Sequence, residues 1–235
     1  RVPEGMDETT AALFPDGFEE SEMGLVPRGW RVARIGELIS VVDFVANGSF
    51  ASLKENVTLQ DTPSHALYLR TTDFNSGYSG TFRYVDKAAY DFLSKSSLDG
   101  TEVVISNVGD VGTVFRPPTW LGFPMTLGSN AVALKAKGLS AFMYLYFNGS
   151  KGQHDIKSIV TGSAQLKFNK TNFRSLLIAL PEARVLNRFE DITSSNFATI
   201  DNNLAKITSL ATLRDTLLPR LISGQLRVGE VLAQI

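Results

Sequence analysis

Basic and small polar side chains are concentrated between residues 151 and 174, where they could contact nucleic acid. The segment holds one acid and five cations, which are Lys151, Lys157, Lys167, Lys170 and Arg174. The loop 161–165 (TGSAQ) offers hydroxyl and backbone N–H groups that can approach phosphates, while Gln165 could pair with an adenine edge in the major groove. Lys157, Lys167 and Lys170 would then attract the phosphate backbone. The alternative is a solvated surface loop with ordinary lysines.

Polar residues at three other places could complete such a contact surface. Arg70 can bond two acceptors of guanine, and Thr72 can contact a phosphate or a thymine methyl group. Arg70 could equally form a turn-stabilising ion pair with Asp73. Asn107 follows a predicted strand, where it either reaches a base or supports the turn, and Lys54 lies in another polar segment. We predict base contacts from Arg70, Thr72, Asn107 and Gln165, and phosphate contacts from Lys54, Lys157, Lys167 and Lys170.

Signatures of catalysis and of cofactor binding are missing from the sequence. It contains no cysteine, and its two histidines, His65 and His154, are far apart and lack metal-ligand spacing. No nucleotide-binding glycine motif and no nucleophile elbow occurs. We therefore expect no catalytic residue, no cofactor and no metal ion. An unrecognised enzyme is the least favoured class of function.

The charge of the chain is unevenly distributed. Residues 1–30 hold two basic and seven acidic side chains, whereas residues 31–181 hold fifteen basic and eleven acidic ones, a net of +4. The overall charge of −1 therefore combines an acidic arm with a mildly basic central region. Because phosphate contacts depend on local charge, the nearly neutral total does not exclude DNA.

Apolar patterning predicts a mixed α+β domain. Apolar alternation predicts a strand over 67–72, and short apolar segments next to turn residues predict strands over 102–106, 111–115, 131–134 and 176–180. Helices are predicted over 87–93 and 140–148. We divide the chain into an acidic linker (1–25), a globular domain (26–181) and a long helix with its tail (182–235). No apolar run approaches the roughly 20 residues that cross a bilayer, and no signal peptide is evident, so we expect a cytoplasmic location.

The last quarter of the chain carries an apolar stripe with helical spacing. A helix from Glu182 to Leu218 would be about 55 Å long, which is more than one small domain can cover. We therefore expect the stripe to pack in a coiled coil against another helix, although packing on its own domain is the alternative. Pro219 should kink or end the helix, and Ser223-Gly224 should stop it. The residues expected in the helix contact are Phe197, Ile200, Leu204, Ile207, Leu210 and Leu217.

Taken in order, five segments resemble the specificity subunit of type I restriction-modification systems. They are Leu25–Trp30 (LVPRGW), Tyr68–Phe74 (YLRTTDF), Leu98–Gly112 (LDGTEVVISNVGDVG), Thr161–Asn169 (TGSAQLKFN) and Leu213–Val228 (LRDTLLPRLISGQLRV). The resemblance covers essentially the whole chain. One such segment would be weak evidence, but five in the right order are strong evidence.

The resemblance implies a division of labour with partner subunits. A specificity subunit typically has two target-recognition domains, each reading half of a split DNA target, separated by an antiparallel pair of long helices. The helices set the spacing and dock the methylation subunits, and the methylating and ATP-driven cleaving activities belong to the partners. The implied partners are double-stranded DNA, the methylation and restriction subunits, and a second spacer helix from the same parent chain or a second copy.

This chain has one such domain and one such helix, which is half of the family's arrangement. Arg1-Val2 also echoes Arg227-Val228, which predicts that Arg1 follows a similar helix in a longer tandem parent. A natural half-subunit that dimerises is the other possibility. The function expected is sequence-specific DNA recognition that directs the partner subunits. The rival hypothesis is a protein-interaction module that pairs through its helix and does not read DNA.

Overall fold

The computed structural model describes residues 6–226, which fall into two compact units, one up to Ser194 and one from Ser195 onward. The α-helices in this range are α1 (Glu8–Ala11), α2 (Ile35–Leu38), α3 (Phe50–Asn56), α4 (Thr71–Asn75), α5 (Lys87–Phe92), α6 (Ser140–Asn148), α7 (Ser150–Ser158), α8 (Lys170–Ser175) and α9 (Ala183–Ile222). The β-strands are β1 (Phe18–Ser21), β2 (Gly24–Pro27), β3 (Arg31–Arg34), β4 (Ser40–Asp43), β5 (Ala66–Leu69), β6 (Tyr84–Val85), β7 (Ser97–Leu98), β8 (Val103–Ser106), β9 (Val114–Phe115), β10 (Met125–Leu127), β11 (Ala131–Lys135) and β12 (Leu177–Leu180). The echo between Arg1-Val2 and Arg227-Val228 lies outside the described residues.

Two four-stranded sheets form the centre of the first unit. The first sheet has the strand order β6-β5-β10-β7, and the second has the order β4-β11-β8-β9. All neighbouring strands are antiparallel except β5 and β10, which are parallel. Two smaller pairs, β1-β2 and β3-β12, complete the strand pairing.

Successive side chains of a strand pack in different layers of the core. In β8, Val103 and Ile105 pack in one cluster with residues of α6, α7 and α8, while Val104 packs in another with Leu67 and Leu69 of β5. Because successive side chains of a strand point to opposite faces, the second sheet is covered by helices on one face and by the first sheet on the other. This explains why all four residues of β8 are buried.

The first sheet is covered on its outer face by α5. Ala66 and Tyr68 of β5 form a third buried cluster with Val85 and Ala89, against which Phe44 packs. The helices and strands therefore form a helix–sheet–sheet–helix stack, and apolar residues fill each interface. Large core side chains in such a stack each contribute about 3–5 kcal/mol when measured by truncation to Ala.

The beginning of the long helix is anchored within the first unit. Val185 and Leu186 are buried, and the carboxylate of Glu190 accepts hydrogen bonds from the backbone N–H groups of Ala141 (3.2 Å) and Phe142 (2.7 Å). These N–H groups lie in the first turn of α6, which has no side-chain cap of its own. Glu190 therefore satisfies donors that a helix start leaves unpaired.

The predicted α+β fold followed by a long helix is confirmed. Helix α6 begins and ends as predicted, and β8, β11 and β12 lie within one residue of their predicted bounds. The strand predicted over 67–72 ends at Leu69, because residues 71–75 form α4. Pro219 lies inside α9, which ends at Ile222 just before Ser223-Gly224. The β1-β2 hairpin spans residues 18–27, so it includes the end of the predicted linker (1–25).

Candidate nucleic-acid interface

The strand directions bring three turns to one edge of the two sheets. Strands β5 and β10 are parallel, so the residues that follow Leu69 and Leu127 lie at the same edge. In the second sheet, Ser106 at the end of β8 pairs with Ala131 at the start of antiparallel β11. The turns after β5, β8 and β10 therefore meet. A cleft of about 480 Å³ lies between them.

Polar and glycine residues line most of this cleft. They are Arg70, Thr71, Thr72, Asn75, Ser106, Gly109, Asp110, Gly128, Ser129 and Asn130. Gly128 has a specific packing role, because a Cβ atom there would lie 2.6 Å from the Leu69 carbonyl oxygen. Its N–H donates to that same oxygen at 2.7 Å, which joins the turns after the two parallel strands. We refer to residues 70–75, 106–110, 128–131 and 161–167 together as the polar face.

Arg70 and Asp73 form a closed cluster at the start of α4. Asp73 is 3% exposed, and its carboxylate accepts from the Arg70 backbone N–H (2.8 Å), Nε (3.2 Å) and Nη2 (2.5 Å). Arg70 Nη2 also donates to the Thr81 carbonyl oxygen at 2.9 Å. This hydrogen bonding raises the pKa of Arg70. The ion pair that the sequence left as an alternative is present, and Thr72 lies exposed beside it.

Asn107 connects the turn after β8 to two other segments. Its N–H donates to Asn130 O (3.0 Å), its carbonyl oxygen accepts from Phe168 N (3.1 Å), and its Nδ2 donates to Phe168 O (3.5 Å). Its Oδ1 atom is buried and has no hydrogen-bond partner among the described residues. These contacts support the turn, which is one of the two roles considered above. A base contact by Asn107 stays a prediction.

The loop that contains Gln165 is exposed and is held at its base. Thr161 and Lys167 exchange backbone hydrogen bonds (2.8 and 2.9 Å), and every residue between them is exposed. The Leu166 carbonyl oxygen accepts from Gly109 N at 3.1 Å, which attaches the loop to the turn after β8. The structure therefore brings Gln165 and Lys167 to the polar face that also carries Arg70 and Thr72.

The four predicted phosphate-binding lysines differ in their surroundings. Lys170 forms an ion pair with Asp43 at 2.8 Å, so part of its charge is neutralised. None of the carboxylates within residues 6–226 forms an ion pair with Lys54, Lys157 or Lys167. Lys157 is in the last turn of α7, just before the loop, and Lys54 lines a hollow that shares Ser129 and Asn130 with the cleft. Their phosphate contacts stay predictions.

The sequence patterns missed several polar residues of the cleft. Asn75 Nδ2 donates to Asp110 Oδ2 at 2.8 Å, and Thr113 Oγ1 donates to the same oxygen at 2.8 Å. The hydrogen bond from Asn75 has the larger effect on the pKa of Asp110, and together with the hydrogen bond from Thr113 it lowers that pKa. Ser129 and Asn130 follow Gly128 in the turn after β10. Their turn composition was a signal, but only strand pairing shows that these turns meet.

The six stripe residues named above lie on α9 beyond the anchored part, and their exposure differs. Ile200, Ile207 and Leu210 are 49%, 61% and 63% exposed, while Phe197, Leu204 and Leu217 are partly buried. Within residues 6–226, no helix combines the length and the hydropathy needed to cross a membrane. The same residues contain no group of three or more His, Cys, Asp or Glu side chains that could hold a metal ion.

The fold is that of restriction-modification specificity subunits. The chain superposes on the crystal structure of the type I restriction-modification S subunit from M. genitalium with a TM-score of 0.52 and 15% identity, covering 83% of this chain and 46% of that one. The HsdS subunit from Thermoanaerobacter tengcongensis is also similar, with a TM-score of 0.49 and 16% identity over 92% of this chain and 49% of that one. The chain therefore spans about half the length of these structures.

A match to a family model shows to which family the chain belongs. The model for the type I restriction modification DNA specificity domain matches residues 27–206, and the chain belongs to this family. A comparison with curated proteins gives no match. The resemblance inferred from the five sequence segments is thus confirmed at the level of the specificity subunit.

Proposed function

We propose that this chain reads a short DNA sequence through the polar face and directs partner methylation and restriction subunits to it. The observation that carries the proposal is the meeting of three separate polar segments, around Thr72, Asn107 and Gln165, at one edge of the domain. Such a face offers donors and acceptors from several elements at once, as reading of base edges in a groove requires. The family to which the chain belongs supports the same role.

Base and phosphate contacts would be divided within the polar face. Arg70 uses Nε and Nη2 internally, whereas Nη1 has no hydrogen-bond acceptor among the described residues. A fixed guanidinium with one unused nitrogen can donate to guanine or to a phosphate with little loss of side-chain entropy. Gln165 would pair with a base, while Lys54, Lys157 and Lys167 would bind phosphates.

The long helix would serve assembly in the same proposal. The exposed side chains of Ile200, Ile207 and Leu210 are spaced for a helix–helix contact, and a second helix would remove them from water. That second helix would come from the same parent chain or from a second copy. It would hold two recognition domains at a fixed spacing and provide the surface on which methylation subunits dock.

A selection from a random duplex pool tests the proposal. The chain is assembled with its cognate methylation subunit, and enriched duplexes are sequenced. A split motif with a fixed spacer indicates two paired recognition domains, while a single short motif indicates one half-target. If a complex shown to be folded and assembled enriches no sequence, DNA reading is rejected.

Three single variants separate the proposed roles. Gln165→Ala should relax one position of the target, and Lys167→Ala should weaken binding to all duplexes. Lys137→Ala is the matched control, because Lys137 follows β11 at the end opposite to Asn130 and lines a different hollow. The division of roles fails if Gln165→Ala and Lys167→Ala behave alike on every sequence.

The exposed helix also supports a second candidate function. An interaction module that pairs through α9 and does not read DNA would use the same exposed residues, Ile207 and Leu210 among them. This candidate predicts that α9-dependent assembly persists while salt-dependent DNA affinity is absent. Measuring both properties on one preparation therefore distinguishes the two functions.

A further inference from the structure

Asp110 places a carboxylate on the face that we propose lies against DNA. A negative charge in this position is unfavourable next to phosphates, unless a hydrogen-bond donor of the DNA compensates for it. Asp110 is exposed and lines the cleft together with Arg70, Thr72 and Asn75. The arrangement of its two oxygens indicates which donor that would be.

One oxygen of Asp110 is occupied and the other is available. Oδ2 accepts from Asn75 Nδ2 and from Thr113 Oγ1, both at 2.8 Å. Within residues 6–226, Oδ1 has no hydrogen-bond partner. The two donors come from α4 and from the turn before β9, so they hold the carboxylate from two sides. They also lower the pKa of Asp110, which keeps it ionised and limits it to accepting hydrogen bonds.

Asn75 adds a second acceptor of fixed orientation. Because its Nδ2 donates to Asp110, its amide group is oriented, and Oδ1 is left as an acceptor. The pair therefore presents two acceptors on neighbouring side chains. In the major groove, such a pair fits a base whose edge offers an amino group.

Two bases offer an amino group there, and they differ in what lies beside it. Adenine has the N7 acceptor next to its N6 amino group, whereas cytosine offers its N4 amino group without an adjacent ring-nitrogen acceptor. A carboxylate is repelled by the N7 lone pair of adenine. Guanine and thymine present acceptors at the corresponding position and are repelled as well. The chemistry favours cytosine.

We propose that Asp110, oriented by Asn75, accepts a hydrogen bond from N4 of a cytosine in the target and so determines one base pair of the recognised sequence. The proposal rests on the proposed function, because it requires that the polar face contacts DNA. It adds a residue and a base to that function. Asp110 is a specificity-determining residue, and Asn75 is a positioning residue for it.

The test compares selections from one random duplex pool by the full complex containing either the wild-type chain or Asp110→Asn. Asparagine has the same shape and can still accept from Asn75 and Thr113, but it lacks the charge and adds a donor. We expect the wild-type target to contain a position at which cytosine is preferred by about tenfold to a hundredfold. In Asp110→Asn this preference should fall by at least about tenfold or move to adenine, while the other positions stay unchanged.

The affinity of Asp110→Asn for unrelated duplexes provides a second measurement. If Asp110 only supported the fold, its replacement would not increase this affinity. Removing a carboxylate from a DNA-binding face should increase affinity for unrelated duplexes, about twofold to fivefold at low salt. Thr113→Val removes one hydrogen bond to Asp110 and keeps the charge. It should leave both the nonspecific affinity and the identity of the preferred base unchanged.

The outcomes separate the two proposals. If the wild-type complex enriches no sequence, the proposed function and this inference both fail. If it enriches a motif that Asp110→Asn retains in full, this inference fails and the proposed function stands. Should Asp110→Asn not fold, Asn75→Ala replaces it, because it leaves the carboxylate but removes the neighbouring acceptor together with one of the two hydrogen bonds that orient Asp110. An unchanged cytosine preference in Asn75→Ala would also overturn the inference.

Discussion

The Arg70–Asp73 cluster and the 161–167 loop lie on the same polar face but are built in opposite ways. Asp73 is almost fully buried and accepts three hydrogen bonds from Arg70 alone. The loop is exposed along its whole length and is fixed mainly by backbone hydrogen bonds at its base. The cluster is therefore rigid in the free protein, whereas in the proposed complex the loop side chains would be ordered by binding.

Because of this difference, substitutions in the two regions should have different effects on stability and on DNA affinity. A rigid group loses little conformational entropy on binding, but its removal also destabilises the fold around it. An exposed loop contributes little to folding, and its side chains can be changed without loss of the domain. Variants of the cluster should therefore change stability and DNA affinity together, and variants of the loop should change affinity alone.

Asp73→Ala should have the largest effect. It leaves the Arg70 backbone N–H and part of its guanidinium without their buried acceptor, so we expect the free energy of unfolding to fall by about 2–4 kcal/mol. Urea unfolding measures it. Asp91→Ala is the matched control, because Asp91 forms an exposed ion pair with Lys87 at 2.7 Å and should cost at most about 0.5 kcal/mol. Equal losses in the two variants would contradict the rigid-cluster interpretation.

Arg70→Lys should give the next largest effect. Lysine keeps the charge but cannot reproduce the two side-chain contacts with Asp73, so we expect a loss of stability of about 1–2 kcal/mol together with weaker DNA binding. The reverse exchange in the loop, Lys167→Arg, should leave stability within about 0.5 kcal/mol of wild type. Thermal unfolding and DNA titration on both variants test the contrast. The contrast between the cluster and the loop is contradicted if Arg70→Lys weakens DNA binding without any change in stability.

Gly162→Ala tests the loop through its backbone. Gly162 has φ +98°, and a Cβ atom there would lie 2.3 Å from the Gln165 carbonyl oxygen, so the loop must change shape. We expect DNA affinity to fall about tenfold with little change in the unfolding temperature. Gly138→Ala is the control, since Gly138 has φ +76° and open space around its Cβ position. A large drop in stability specific to Gly162→Ala would show that the loop belongs to the folded core.

The same contrast explains what the sequence could predict. Helix α6 and strands β8 and β11 follow from their own apolar patterns, because the two strands are almost entirely buried and α6 contributes Met143 and Phe147 to the core. Strand β5 ends earlier than its pattern suggested, because Asp73 accepts the Arg70 N–H and begins a helix there. That signal was present as an acidic residue three positions beyond Arg70.

The composition of the polar face was only partly predictable. Thr72, Asn107 and Gln165 could be selected by residue type, but their proximity depends on the parallel pairing of β5 with β10 and the antiparallel pairing of β8 with β11. These contacts join segments that are far apart in the chain, so no local pattern contains them. Asp110 was missed for the same reason, because its partner Asn75 belongs to another element. The hairpin β1-β2 was missed because its strands are mostly exposed and lack an apolar alternation.

Lys167→Ala and Lys170→Ala should give the smallest and most specific effects. Each lysine that binds a phosphate contributes about 0.9 to the slope of log affinity against log salt. Lys167 forms no ion pair within residues 6–226, so its removal should reduce the slope by about that amount. Lys170 forms an ion pair with Asp43 at 2.8 Å, and a phosphate contact by Lys170 would leave the Asp43 carboxylate without its cation. Lys170→Ala should therefore reduce the salt slope by less than half as much as Lys167→Ala does. DNA titrations over a range of salt concentrations measure both slopes. If the two variants reduced the salt slope by the same amount, Lys170 would exchange Asp43 for a phosphate on binding. The basic side chains would then adapt to DNA even where the free protein holds them in place.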